Sequence, residues 1–265
     1  MSIFTKNYQH YVDKNTHVDI NRIDHYNLNI VYYINCYFNQ KNNMYYDWII
    51  NQTNLIKEWE GTIYIISVLP PAEEYQFRNT IETHFKHYSK LTLVIECHYN
   101  NNFEYEGILK IWELGQIYNK NNDLLLYFHA KGITHSNSYE NNKNDSYNII
   151  LNDLNKIKEI FDIFPKIDKI GYASSNLGWL WYNFWFARGS YIFSLEKPIK
   201  THRRHYYEDW LARKVNIDDR YCDNERIITY YPNTLYTCYQ FYTYFKNIKN
   251  IGSFYSPRDN YFKNP

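Results

Sequence analysis

Apolar residues fall along this chain in short dense runs, separated by longer stretches in which they recur at helical spacing. The sharpest run is Leu124 to Phe128, five apolar residues without polar alternation, the pattern of a strand buried on both faces. It stops abruptly at His129, Ala130, Lys131 and Gly132, so polar groups stand at the carboxyl end of a strand, where open α/β sheets bind their ligands. Residues 29–35, 62–68 and 91–97 are β-branched and aromatic runs of strand length. Residues 44–59, 72–88 and 103–118 between them read as helices. In the second, Phe77, Ile81, His84/Phe85 and Tyr88 share a face; in the third, Tyr105, Ile108/Leu109 and Trp112 form an inner stripe, with Glu106 and Lys110 as an outward i,i+4 pair.

Four strands alternating with three helices predict an α/β, Rossmann-like fold whose mostly parallel sheet is covered on both faces. Right-handed crossovers put all four strand exits on one edge. Beyond Gly132 the character changes. Residues 134–146 are rich in Asn and Ser and read as a long loop; residues 151–164 read as an amphipathic helix stopped by Pro165; residues 169–174 read as a strand. An aromatic block, 179–188, precedes a segment at 201–213 that joins a basic cluster to the carboxylates Glu208 and Asp209, read as the first turn of a helix. From residue 215 onward the tail is irregular or β-like. Residues 1–28 are an irregular arm, and 29–265, free of repeats and linkers, count as one domain.

Composition narrows the functional classes. Lys+Arg 29 against Asp+Glu 28 leaves a net charge of +1, without the basic stripe that tracks nucleic acid, so no nucleic-acid partner is expected. Aromatic residues make up 20% of the chain, with Tyr 31; amphipathic rings on this scale can line sugar- or base-binding clefts as well as cores. The cysteines Cys36, Cys97, Cys222 and Cys238 are dispersed without a Cys-x-x-Cys pair, which suggests a reducing compartment. The polar start of the chain reads as no signal peptide, and no run approaches the roughly 18 apolar residues that span a bilayer. A cytoplasmic location is expected, with the oligomeric state open.

Transfer of a sugar from a nucleotide diphosphate needs positive charge or a metal on the leaving group, a carboxylate to deprotonate the acceptor hydroxyl, and flat apolar surfaces for sugar rings. Candidates for each exist. Lys131 and the Arg203/Arg204 pair suit the diphosphate, or else are solvated surface charges. Asp209 or Glu208 suits the base, or else makes backbone hydrogen bonds at a helix start. Trp179, Trp181, Trp185, Tyr207 and Trp210 could stack on sugar, with core packing favoured for Trp185 and an even balance for Trp179 and Trp181. His129 could ligate a metal, donate to a phosphate, or cap its strand.

The run Asp123-Leu-Leu-Leu-Tyr-Phe-His-Ala-Lys-Gly-Ile-Thr resembles the "LYxHTKG" motif of a branch of GT-A-type glycosyltransferase-like proteins, found in polysaccharide gene clusters and in large DNA viruses. Asn183-Phe-Trp-Phe-Ala-Arg-Gly-Ser-Tyr-Ile resembles that branch's "GNFWWAxxxYI". Arg204-His-Tyr-Tyr-Glu-Asp-Trp-Leu-Ala-Arg resembles its "R-x-Y-x-E-x-W-(I/L)", and Phe103-Glu-Tyr-Glu-Gly-Ile fits ahead of Leu124. The resemblance implies a GT-A-like domain, 29–133 forming the nucleotide-binding half and 134–265 the acceptor half and tail. It implies an inverting glycosyltransferase with a nucleotide-diphosphate sugar as co-substrate and a glycan or other hydroxyl acceptor. Asp209, then Glu208, would be the base; Asn35, Tyr37, His129, Lys131, Gly132, Arg204 and Arg213 would face the donor; Trp179, Trp181, Asn183, Tyr207 and Trp210 would face the acceptor. The family's Asp-x-Asp, which holds Mn or Mg, reads His129-Ala130-Lys131 here, so Lys131 is expected to replace part of the metal's charge. Tyr182 stands at the branch's small-residue position, and the branch's Arg/Trp pair is missing from residues 141–148. The alternatives are a non-catalytic relative that binds glycans or nucleotide sugars, and an interaction protein on the same fold.

Overall fold

The computed structural model describes residues 26–39, 44–130, 150–172, 175, 178–213 and 238–240. Four strands, β1 (Asn27–Asn35), β2 (Gly61–Val68), β3 (Leu91–His98) and β4 (Asp123–His129), alternate with the helices α1 (Met44–Asn54), α2 (Glu74–Phe85) and α3 (Tyr105–Ile117). After β4 follow α4 (Leu154–Ile163), β5 (Lys169–Gly171), β6 (Trp185–Arg188), α5 (Gly189–Ser194), α6 (Arg204–Asp209) and β7 (Cys238–Gln240). The seven described strands form one sheet in the order β3-β2-β1-β4-β6-β5-β7. The pairs β1–β2, β2–β3 and β1–β4 are parallel. β6 runs antiparallel to both β4 and β5, and β7 parallel to β5. The molecule is thus an α/β domain whose mixed, mostly parallel sheet is flanked by helices.

Side-chain alternation explains why the apolar runs carry no polar positions. Ile30, Tyr32 and Ile34 of β1, with Leu124, Leu126 and Phe128 of β4, enter a core closed by α1, α2 and α4. Their neighbours Val31, Tyr33, Leu125 and Tyr127 enter a second core closed by α3, α5 and α6. Every residue of β4 is buried, and each such large apolar side chain contributes about 1.5–3 kcal/mol.

Several expected boundaries shift. The expected arm of residues 1–28 overlaps β1, because Asn27 and Leu28 already pair with Asp123 and Leu124; residues 1–25 lie outside the described ones. The first helix ends at Asn54 rather than Trp59: the Thr53 hydroxyl donates to the Ile49 carbonyl at 2.6 Å, and the chain turns so that Trp59 tilts against Phe186. The buried stripe of α3 is Gly107, Ile108, Ile111, Leu114 and Gly115, rotated from the expected one. A Cβ on Gly107 would lie 2.8 Å from Tyr33 Cβ, so the missing side chain lets α3 settle directly onto β1. With the helix rolled this way, Lys110 reaches Glu96 of β3 at 2.6 Å and Glu113 at 3.5 Å, while Glu106 meets His98 at 3.6 Å. The expected Glu106–Lys110 pair gives way to these contacts. The loop expected at 134–146 lies outside the described residues.

Among the described residues, no helix is long and apolar enough to cross a membrane. Cys36, Cys97 and Cys238 are free thiols.

Candidate functional site

The parallel half reverses direction of winding between β1 and β4, so their carboxyl ends flank the crevice where doubly wound sheets take ligands. In register, Tyr33 of β1 faces His129 of β4, and the Ala130 amide still donates to the Tyr33 carbonyl at 3.0 Å. The strand therefore keeps its direction one residue past His129.

His129 is 8% exposed. Its Nε2 donates to the Tyr182 carbonyl at 3.0 Å, which fixes the proton on that nitrogen, since a carbonyl can only accept. Its Nδ1 lies 3.5 Å from Glu104 Oε1. The ring is flanked by Tyr127 and Phe184. With both nitrogens directed at protein oxygens, the geometry gives His129 a bracing role at the end of β4 rather than the expected contact with a phosphate or metal.

Glu104, immediately before α3, gathers the surrounding groups. Its Oε2 accepts from Asn183 Nδ2 at 2.7 Å and from the Tyr127 hydroxyl at 3.2 Å. The Asn183 amide donates also to the Tyr207 carbonyl at 3.2 Å, and Asn183 is 2% exposed. The Tyr33 hydroxyl donates to the Phe103 carbonyl next door. Burial, and after it the charge of Glu104, holds the Tyr33 and Tyr127 hydroxyls well above the usual tyrosine range, so both remain donors. The turn entering β6 contains two successive residues with left-handed backbone, Tyr182 (φ 71°) and Asn183 (φ 51°).

Asn35 and Tyr37 sit at the exit of β1. Asn35 Nδ2 donates to Asn101 Oδ1 at 2.9 Å, and the Tyr37 hydroxyl to the Tyr99 carbonyl at 2.6 Å. These bonds tie the β1 exit to the loop that follows β3.

Glu208 and Asp209 close α6 instead of opening it, so the expected favourable dipole is reversed and they stand at the negative pole. Opposite charge compensates: Asp209 Oδ1 is 3.6 Å from Arg213 Nη1. Glu208 Oε1 is 3.8 Å from His205 Nδ1. Arg213, expected at the donor, is buried with its guanidinium 5.1 Å over the Tyr206 ring. Tyr207, expected at the acceptor, is 1% exposed, and its hydroxyl donates to the Thr201 carbonyl and accepts from the Thr201 amide. Trp210 is fully buried, donating to the Glu196 carbonyl at 3.3 Å, and Trp179 is buried too. These three rings pack inside the fold, which corrects their assignment as open stacking platforms. Trp185 is core, stacked on Tyr127. Lys131 and Gly132 lie outside the described residues, as do the side chains of Trp181 and Arg204.

His129 and Glu104 are the described groups at the end of β4 that a divalent cation could use. Both are committed to the network above, so this donor set does not fit a resident metal. Among the described residues, no three His, Cys, Asp or Glu side chains gather to hold one. Sequence reasoning missed Glu104, although it lay inside the Phe103-Glu-Tyr-Glu block; helical periodicity ranks faces and says nothing about a carboxylate just ahead of the first turn.

Compared with protein-family models, curated proteins and solved structures, the chain gives no significant match.

Proposed function

We propose that this protein is a glycosyltransferase on a GT-A-like sheet, moving a sugar from a nucleotide-diphosphate donor to a hydroxyl acceptor. The observation that carries the reading is the meeting of four distant sequence blocks. His129 bonds to the Tyr182 carbonyl 53 residues away, Asn183 to Glu104 79 residues away, and Asn183 to the Tyr207 carbonyl 24 residues away. These are the blocks on which the resemblance rests, and they converge beside the β1–β4 crevice. The left-handed Tyr182 adds support: the branch keeps a small residue there, and a glycine adopts that backbone without strain.

In this reading the loop after β1, with Asn35 and Tyr37, takes the nucleoside, and Lys131 neutralises the diphosphate as a point charge. Asp209 removes the acceptor proton as the sugar transfers, with inversion, and Glu208 is the next candidate. Arg213, 3.6 Å from Asp209, pairs with that carboxylate and orients it.

A thermal-shift screen of nucleotides and nucleotide sugars, followed by a donor-turnover assay, tests the proposal. Stabilisation by one nucleoside diphosphate with turnover of its sugar is expected. Binding without turnover transfers the case to a non-catalytic nucleotide-sugar binder, and the absence of any nucleotide affinity removes the reading.

A further inference from the structure

We infer that Glu104 is a positioning residue of this site, holding the end of β4 and the turn before β6 in one fixed arrangement. The inference rests on the reading of that edge as the place where a nucleoside diphosphate binds. Three side chains from separate parts of the fold point at one carboxylate: Asn183 at 2.7 Å, the Tyr127 hydroxyl at 3.2 Å and His129 Nδ1 at 3.5 Å. Asn183 and the Tyr127 hydroxyl donate to Oε2, while His129 Nδ1 faces Oε1. A glutamine has one acceptor oxygen: set toward Asn183 and Tyr127 it turns its amide to His129, and in the other orientation it sets a donor against Asn183.

What Glu104 holds is unusual backbone. Residues other than glycine seldom adopt the left-handed region, and where they do the surroundings over-determine it. Here the Tyr182 carbonyl is fixed by His129, and the Asn183 side chain by Glu104 and the Tyr207 carbonyl. Glu104 stands behind both attachments. Through Tyr207 the same chain of contacts reaches α6, two residues from Asp209. Both Glu104 oxygens face protein groups, so it acts through His129 and Asn183 and not on the ligand itself.

The test is calorimetric titration of uridine, guanosine, cytidine, adenosine and thymidine diphosphates into the full chain. The same titrations are made with Glu104→Gln, His129→Asn, the double variant and Glu104→Asp. Glu104→Gln is expected to weaken the wild-type affinity by about tenfold or more. Adding His129→Asn to it should cost less than about twofold further, because both changes cut the same link. Glu104→Asp, which keeps the carboxylate, should bind more tightly than Glu104→Gln, with far-UV circular dichroism unchanged across the set. Losses that multiply, wild-type affinity in Glu104→Gln, or Glu104→Asp binding no better than Glu104→Gln each overturn the positioning role and leave the proposed function standing. If the wild-type chain binds none of the five nucleotides, the proposed function falls and the positioning role falls with it.

Discussion

Arg188 lies with its guanidinium carbon 4.7 Å above the Phe161 ring and donates from Nη2 to the Phe161 carbonyl at 2.7 Å. The same group donates to the Ile167 carbonyl at 2.7 Å and the Asn121 carbonyl at 2.8 Å. One buried fork thus joins the end of β6, the end of α4 and the turn before β4. A lysine keeps the charge but cannot span three carbonyls. Arg188→Lys should therefore destabilise the fold by about 3–6 kcal/mol, roughly two charge-assisted hydrogen bonds. A fall in the urea midpoint with an unchanged slope checks this; an unchanged midpoint refutes it.

Gly107 makes a second test of packing. Its absent Cβ would meet Tyr33 Cβ at 2.8 Å and the Tyr127 hydroxyl at 3.0 Å. Gly107→Ala should cost about 1–3 kcal/mol by overpacking, despite the better helix propensity of alanine. A stabilised variant would mean that α3 can lift from β1 without loss.

His84 gives the fold a dependence on pH. Its Nε2 lies 2.8 Å from Thr53 Oγ1 and 2.9 Å from the Tyr88 hydroxyl. Burial, and after it the charge of His87, lowers its affinity for a proton. The unfolded chain, with histidine titrating near about 6.5, takes up protons first as pH falls, so stability declines with falling pH. The contribution is complete above about pH 6.5 and is lost as pH drops through the folded value. The stability difference between wild type and His84→Gln, from denaturant unfolding at a series of pH values, should shrink below that point. A constant difference contradicts the assignment.

Asp209→Asn should reduce sugar transfer by about 10²–10⁴-fold, the range for loss of a general base. Nucleotide affinity and far-UV circular dichroism should stay at wild-type values. Full turnover in this variant excludes Asp209 as the base and turns attention to Glu208.

Transfer should survive a chelator, because the described donors at the end of β4 are engaged with one another and the proposed role of Lys131 is to neutralise the diphosphate. Complete and metal-reversible loss of activity on chelation would defeat this expectation.

The parallel half of the sheet was legible because its strands are buried on both faces and its helices show periodic apolar stripes; runs such as Leu124 to Phe128 admit few other readings. Less legible was the roll of α3 about its axis, which depends on two glycines and on Lys110 finding Glu96 across the sheet. The direction of the Glu208–Asp209 helix escaped for a similar reason. A doublet of carboxylates beside an aromatic run fits either end of a short helix, and tertiary contacts such as Tyr207 with Thr201 decide which. Burial of Tyr207 and Trp210 was hidden because amphipathic rings look alike in a core and in a cleft. Glu104 was invisible as a hub because its three partners come from elsewhere in the chain.

Continuous burial along β4 has an evolutionary consequence. Each side chain from Leu124 to Phe128 is committed to one core or the other, and a one-residue slip would exchange the two sets wholesale. The strand works as a fixed ruler whose far end always delivers the chain to the same point. Variation in what the protein recognises must therefore accumulate in the segments that leave the sheet, and a library aimed at new specificity should begin after His129.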